Sequence, residues 1–411
     1  MRTALMYMLV LLPLLMTGQR DKCDVDQRFD LTPENPRYQT FLNRIEQGIT
    51  SGQIETRTQS YIPVVIHVVM REPLQPVSIA QALQQLDVLN ADFAGLGNNI
   101  GALRDEFRSL VGDAQMKFCL ATIDPEGQPT SGITHTTTTI QDIALQTGEF
   151  GRIAIHWDEL GGKTGWDPTR YINIWIGEYG GILGSASFPG MANYPEEIGL
   201  IIDPKYFGSI GAAGNSGFYS GGHTLTHEMG HFFGLKHIWG QGTGEDCNDS
   251  DDIDDTPNAA GPYYDCPQGL QESCGTSDMY QNFMDFTDDR CLAAFTHDQV
   301  MLMQTTAAVY YPDLDVEGSC NATADTFDTW YDQLVWSYDQ ASGTYVIYNT
   351  EGWMGKIEVQ VYSVDGKLVL EDEWEDQLSY LLDLSNVAAG VYVVRLVSGE
   401  EEFVRKIVSG E

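Results

Sequence analysis

The chain has 411 residues, and 59 Asp and Glu against 22 Lys and Arg give it a formal charge of −37. That length has room for two or three domains with cores of their own, and 42% hydrophobic with 11% aromatic residues is too apolar for an acidic disordered chain. Negative charge on this scale argues against a phosphate-binding surface, so nucleic acid and anionic membrane are poor partners.

In chain order, Arg2 precedes the apolar run Ala4–Met16, and Thr17-Gly18-Gln19 follow it. A basic start, a short apolar core and small residues describe a secretory signal peptide over 1–18. The run falls short of the roughly 20 residues of a membrane span, and no later stretch is long and apolar enough. The mature protein is therefore expected to be soluble and exported. Residues 19–59 are polar, carry Pro33 and Pro36, show no sustained periodicity and read as a pro-segment or linker.

Tyr61–Val69 is a continuous β-rich run, expected as a buried strand. Ile79, Leu83, Leu86, Leu89 and Phe93 predict an amphipathic helix over Ser78–Phe93, with Ser78 as N-cap. Met116–Ile123 and Tyr171–Ile176 read as strands, and Gly180–Pro189 as a glycine-punctuated edge strand. Beyond a boundary near Gly318–Asp325 come short alternating strands: Tyr345–Asn349, Lys356–Ser363, Lys367–Leu370, Tyr380–Leu384, Val391–Val397 and Phe403–Val408. Turn signals at Asp365-Gly366 and Ser398-Gly399 separate some of them, which predicts a small antiparallel β-sandwich over 325–411.

Export permits disulfides. Cys247, Cys266, Cys274 and Cys291 cluster in a segment rich in Asp, Gly and Pro, and four cysteines alone allow three connectivities. With Cys23, Cys119 and Cys320 the total is seven, so at least one thiol is free or bound to something other than sulfur.

The sharpest chemical signal is the stretch His227-Glu228-Met229-Gly230-His231-Phe232-Phe233-Gly234-Leu235-Lys236-His237. Residues four apart share a helix face, so His227 and His231 can present two imidazoles to one ion. Gly234 lets the helix end in a positive-φ turn that swings His237 back as a third ligand. Three protein nitrogens and an open fourth position mark a catalytic zinc. Glu228 is then placed to take a proton from water at that open position. The short HExxH pattern alone arises by chance in roughly one chain in twenty; the added Gly and His cut that about 400-fold. The extended pattern, with Met284 as a downstream Met-turn, is the metzincin signature.

These residues resemble the pappalysin-type metzincins. The resemblance runs from about Tyr61 to Tyr310 and includes IPVVIHVV, LNADF, YINIWI, GILGSASFPG, HEMGHFFGLKHIWG, DDIDDTP and NFMDFTDDRCLAAFT. It implies an α+β metzincin catalytic domain over 60–318. Its upper subdomain is expected to hold a twisted five-stranded sheet and two long helices, its lower one is irregular, and the cleft lies between them. It implies the bridges Cys247–Cys274 and Cys266–Cys291, with Cys119–Cys320 as a third. It implies that Cys23 can fill the open zinc position and keep a zymogen latent, which suits a thiolate. It also places calcium at Asp251 and Thr256, with the Asp254 carbonyl. Seven carboxylates between Glu245 and Asp255 repel one another, and Ca²⁺ takes such oxygen ligands.

The sequence departs from the family in three places. Phe286 stands where relatives often have a Tyr whose hydroxyl stabilises the tetrahedral intermediate. Arg290 stands near the position where relatives that cleave before Arg or Lys carry an acid, and a guanidinium in that wall would disfavour a basic side chain unless Asp288 and Asp289 neutralise it. His223 replaces a frequent Arg and is expected at the helix start, not as a fourth ligand. The C-terminal pieces VQVYSVDGKLVL, LDLSNVAAGVYVVRL and VRKIV resemble a type A sorting domain of the type IX secretion system. That implies export through the periplasm, followed by release or surface attachment.

The expected function is secreted zinc-dependent endopeptidase activity on proteins or peptides, with Glu228 as general base and Leu183–Phe188 pairing antiparallel with an extended substrate. The rival is a non-catalytic, surface-displayed binding protein on the same fold, motivated by Phe286; intact Glu228 and three histidines argue against it. Residues 241–290 hold 13 acids and one base, and 325–411 hold 17 and five. Most of the net charge is thus local to these two stretches, and Arg290 suggests a cleft that is not strongly acidic.

Overall fold

The structure, a computed structural model, describes residues 22–51, 60–72, 77, 79–128, 130–209, 213–241, 247–314, 334–339, 344–349, 356–363, 366–374, 379–388, 390–398 and 401–409. The signal peptide 1–18, the N-cap Ser78, Cys320 and the domain boundary at 318–325 lie outside them.

Strand β1 (Ser60–Arg71) organises the catalytic part. Its side chains alternate between two cores: Val64, Ile66 and Val68 point into the larger one, and Val69 joins Ile155, Trp175 and Ile201 on the opposite face. Such double burial explains the near-continuous apolar run. β2 (Met116–Leu120) pairs with the first half of β1 and β3 (Ile133–Thr138) with the second, both parallel. β4 (Ile172–Ile176) takes the other edge, followed by β6 (Leu200–Ile202) in parallel and β5 (Gly184–Ala186) antiparallel at the rim. Six segments therefore make a sheet five strands wide, because β2 and β3 share one edge of β1. The edge strand is shorter than the run Gly180–Pro189 suggested: Gly180 and Gly181 have positive φ, which ends pairing on that side.

Helix α3 (Ile79–Phe93) and helix α4 (His223–Phe232) pack in the larger core. All ten residues of α4 are buried. Below it the chain is irregular, with a two-stranded ladder of β7 (Glu272–Ser273) and β8 (Thr276–Ser277). Disulfides join Cys247 to Cys274 and Cys266 to Cys291. Cys119 is also disulfide-bonded. Helix α5 (His297–Tyr310) closes this part and starts with a capping box between Thr296 and Gln299.

The N-terminal segment, where the sequence showed no sustained periodicity, is partly helical. It forms a single turn, α1 (Val25–Arg28), and a 15-residue helix, α2 (Pro36–Thr50), capped by Asn35 with Pro36 at its first position. Tyr38, Phe41 and Ile45 recur at helical spacing and are buried in the same core as α4. Polar residues around them hid that stripe. Close approach to α5 is fixed by Gly48, where a Cβ would stand 2.7 Å from Val309.

The C-terminal strands are antiparallel throughout. One sheet is β13 (Ser379–Asp383), β10 (Thr344–Asn349) and β9 (Leu334–Asp339); the other is β12 (Leu368–Trp374), β11 (Ile357–Ser363), β14 (Gly390–Ser398) and β15 (Glu401–Ser409). Ile347, Val359, Val361, Trp374, Leu382, Val394 and Leu396 fill the core between them. β9 lies ahead of the first strand read from the sequence.

Candidate active site

Helix α4 places His227 and His231 one turn apart on one face. It ends at Gly234 (φ +92°), where the Leu235 amide donates to the Gly230 carbonyl at 3.0 Å, and the chain turns back to present His237. His231 Nε2 lies 3.1 Å from His227 Nε2 and 3.2 Å from His237 Nε2. Tetrahedral zinc with Zn–N near 2.0–2.1 Å needs donor atoms roughly 3.3 Å apart. The three nitrogens thus fit zinc, and with Cys23 Sγ they form a four-atom cluster spanning at most 4.8 Å. Burial holds His227 well below the usual imidazole range and His231 at about 3, so both stay neutral, the form that binds metal.

Glu228 is buried with Oε2 3.6 Å from Cys23 Sγ, while its Oε1 has no hydrogen-bond partner among the described residues. Burial, then the neighbouring Asp24, pushes this carboxyl up. Gly184 of β5 makes room for it, since a Cβ there would stand 2.7 Å from Glu228 Cγ.

Met284 lies beneath the helix, and a Cβ on Gly230 would come within 2.5 Å of its sulfur. The turn is held by Asn282, which accepts from the Met284 amide at 2.9 Å. Phe286 walls the cage, its ring 4.8 Å from His237 and 5.7 Å from His227. His223 opens α4 and its Nδ1 pairs with Asp92 at 2.7 Å, outside the cluster. In the acidic loop, Thr256 Oγ1 lies 2.7 and 2.9 Å from the Asp251 carboxylate and 2.9 Å from the Ile253 carbonyl. Asp254 is exposed, and Glu245 and Asp246 fall outside the described residues.

The N-terminal segment occupies the cleft. Cys23 bridges to Gly184 in parallel, and the Lys22 carbonyl accepts from the Leu183 amide at 3.1 Å. Lys22 is buried; its ammonium donates to the Thr287 carbonyl and sits 4.3 Å over the Tyr219 ring. Burial lowers its pKa to about 8, a shift opposed by the charges of Asp289, Asp285 and Asp288. Arg290 pairs with Asp288, the neutralising partner the sequence offered, at 3.1 Å. The Arg290 side chain is 65% exposed and lies over the Phe218 ring, so it points out of the pocket, and the pocket receives a lysine.

Sequence reasoning missed Lys22, Asp24 and Asp26. Asp24 accepts from the Tyr179 hydroxyl at 2.6 Å, and Asp26 meets His237 Nδ1 at 2.7 Å across 211 residues of chain. No local pattern announces a pairing at that separation.

Residues 158–308 match the family described as pregnancy-associated plasma protein-A, and residues 341–409 match a secretion system C-terminal sorting domain. An extracellular metalloprotease of Arthroderma benhamiae is 38% identical over 127 residues, 30% of this chain and 42% of the relative. One from Colletotrichum graminicola is 35% identical over 150 residues, 34% of this chain and 51% of the relative. The chain thus spans about two fifths to a half of these curated relatives. Among solved structures, a mutant of Tannerella forsythia promirolysin is 31% identical with a TM-score of 0.63, covering 72% of this chain and 97% of its own. Tannerella forsythia mature mirolysin in complex with a cleaved peptide is 34% identical with a TM-score of 0.57, covering 63% and 99%.

Proposed function

This chain belongs to the pregnancy-associated plasma protein-A, or pappalysin, family, and we propose that it is a zinc endopeptidase made as a latent zymogen. Its sorting domain makes it a secreted or surface-attached protein, and no helix among the described residues is long and apolar enough to cross a membrane. The observation that carries the reading is the convergence of three Nε2 atoms beside a buried glutamate. Zinc held by His227, His231 and His237 would supply Lewis acidity that polarises the scissile carbonyl and makes water nucleophilic near neutral pH.

Glu228 takes the proton of the attacking water and hands it to the leaving amine. The outer edge of β5, which the N-terminal segment covers at Gly184, orders an extended substrate by antiparallel main-chain pairing. The N-terminal segment lies parallel to that strand, so Lys22 occupies the place of the substrate residue that follows the scissile bond. Asp285, Asp288 and Asp289 around it favour a basic side chain there. Latency follows from Cys23 at the fourth position with its thiol against Glu228. When the segment leaves, the thiol and Asp24 go with it, and Glu228 is freed to act as base. In the same reading, residues 1–18 are the signal peptide, the pro-segment ends by 59, the catalytic domain occupies 60–318, and type IX machinery recognises 325–411. Calcium at Asp251, Thr256 and the Asp254 carbonyl is supported by the Asp251 carboxylate, which burial raises to about 7 and which a cation would hold ionised.

The test is hydrolysis of a denatured protein and a peptide library by the mature form. Glu228→Ala should cut the rate by about 10²–10⁴-fold, 1,10-phenanthroline should abolish cleavage, and Arg or Lys should dominate directly after the cut. Equal cleavage by wild type and mutant would leave the non-catalytic reading that Phe286 suggests.

A further inference from the structure

Each histidine of the site has a second ring nitrogen to place, and one of the three does so differently from the other two. His227 Nδ1 lies 2.7 Å from the Phe283 carbonyl, and His231 Nδ1 2.7 Å from the Leu235 carbonyl. Both acceptors are backbone atoms of the catalytic part. His237 Nδ1 instead lies 2.7 Å from Oδ2 of Asp26, a side chain of the N-terminal segment. We infer that Asp26 is a positioning residue for His237, so that the segment holds the metal from behind as well as capping it from the front, and its removal loosens the metal.

The inference rests on the zinc reading above. A partner on Nδ1 fixes that nitrogen as the N–H donor and leaves the lone pair on Nε2, facing the other two histidines. A carboxylate does this more strongly than a carbonyl, and it makes the imidazole a better donor to the metal. His237 is also the ligand most in need of such help, because it follows the Gly234 turn and has no helix to set its ring. Geometry makes the arrangement economical: the single turn Val25–Arg28 carries Asp26 behind one ligand while Cys23, three residues earlier, faces all three. Asp26 is not the segment's sole anchor. Lys22 bonds the Thr287 carbonyl, Tyr179 bonds Asp24, and Arg28 Nη1 donates to Ser185 at 2.7 Å.

The experiment uses the full chain carrying Glu228→Ala to keep it intact, with and without Asp26→Asn. Each is loaded with one equivalent of zinc, and release to a chromogenic chelator is timed. Loss of such a partner commonly costs 10–100-fold in affinity, so the Asp26→Asn chain should release zinc about 10–100-fold faster, with Asp26→Glu in between. Cys23 should stay protected from iodoacetamide in all three, and the visible bands of the cobalt-loaded protein should shift in Asp26→Asn. Equal release rates overturn the inference. So does fast release accompanied by alkylation of Cys23, which would make Asp26 a latch for the segment. A parent chain that retains no zinc overturns both this inference and the metal reading beneath it, and is told apart by stoichiometry alone.

Discussion

The N-terminal segment and the C-terminal sandwich both flank the catalytic part, yet they are stabilised by different means. The segment buries Tyr38, Phe41 and Ile45 in the same core as helix α4, and sends Lys22, Cys23 and Asp26 into the cleft. The C-terminal strands bury Val359, Val394 and Leu396 among themselves, and only Val346 of β10, among their described residues, reaches the larger core. A module built mainly on its own core exposes little of its neighbour when it is lost. A segment that shares a core leaves an apolar scar when it is removed, so on the proposed zymogen reading the enzyme remains folded after losing part of its interior.

The sharpest way to break this comparison is Phe41→Ala. Its ring lies 5.1 Å from Phe188 and 5.7 Å from Tyr310, both in the catalytic part. Truncating a buried Phe costs about 3–5 kcal/mol, so calorimetry of the full chain should show a loss of that size, absent once the segment is cut away. A loss under about 1 kcal/mol would mean the segment merely rests on the surface.

The next test is pH. Burial lowers the His67 pKa to about 4, below the roughly 6.5 of an unfolded imidazole. Between those values the unfolded chain binds more protons, so the contribution is full above pH 6.5 and falls away as pH drops toward 4. The amount is on the order of 3 kcal/mol. His67 bonds Thr134 and Asn173, both catalytic-part residues. The acid loss should therefore be the same before and after the segment is removed, and His67→Gln should flatten it in both.

The smallest effect is expected from deleting the sandwich. Removing 334–411 takes Val346 out of the larger core, so it should cost the catalytic part about 1–2 kcal/mol and leave peptide hydrolysis intact, while export fails. A drop as large as that expected for Phe41→Ala would show that the two cores act as one.

The zinc histidines were legible because helical spacing and Gly234 are local facts, and the sandwich because period-two strands announce themselves. For Arg290 the sequence offered Asp288 as a partner but not the direction of the side chain, which adjacency along the chain does not fix. Asp26 was invisible because its partner is 211 residues away and neither residue is unusual in its surroundings. Helix α2 stayed hidden because three buried side chains in fifteen residues leave its composition polar.

The parallel bridge between Cys23 and Gly184 also has a kinetic consequence. A stretch laid backwards through the cleft offers its peptide bonds with the carbonyl and amine sides exchanged, so the chain does not cut itself there while it lies in place. On the proposed zymogen reading, the cut that frees the site then comes from another molecule. Maturation is then second order in protein: a fresh preparation should show a lag that shortens with concentration and vanishes when a trace of processed enzyme is added.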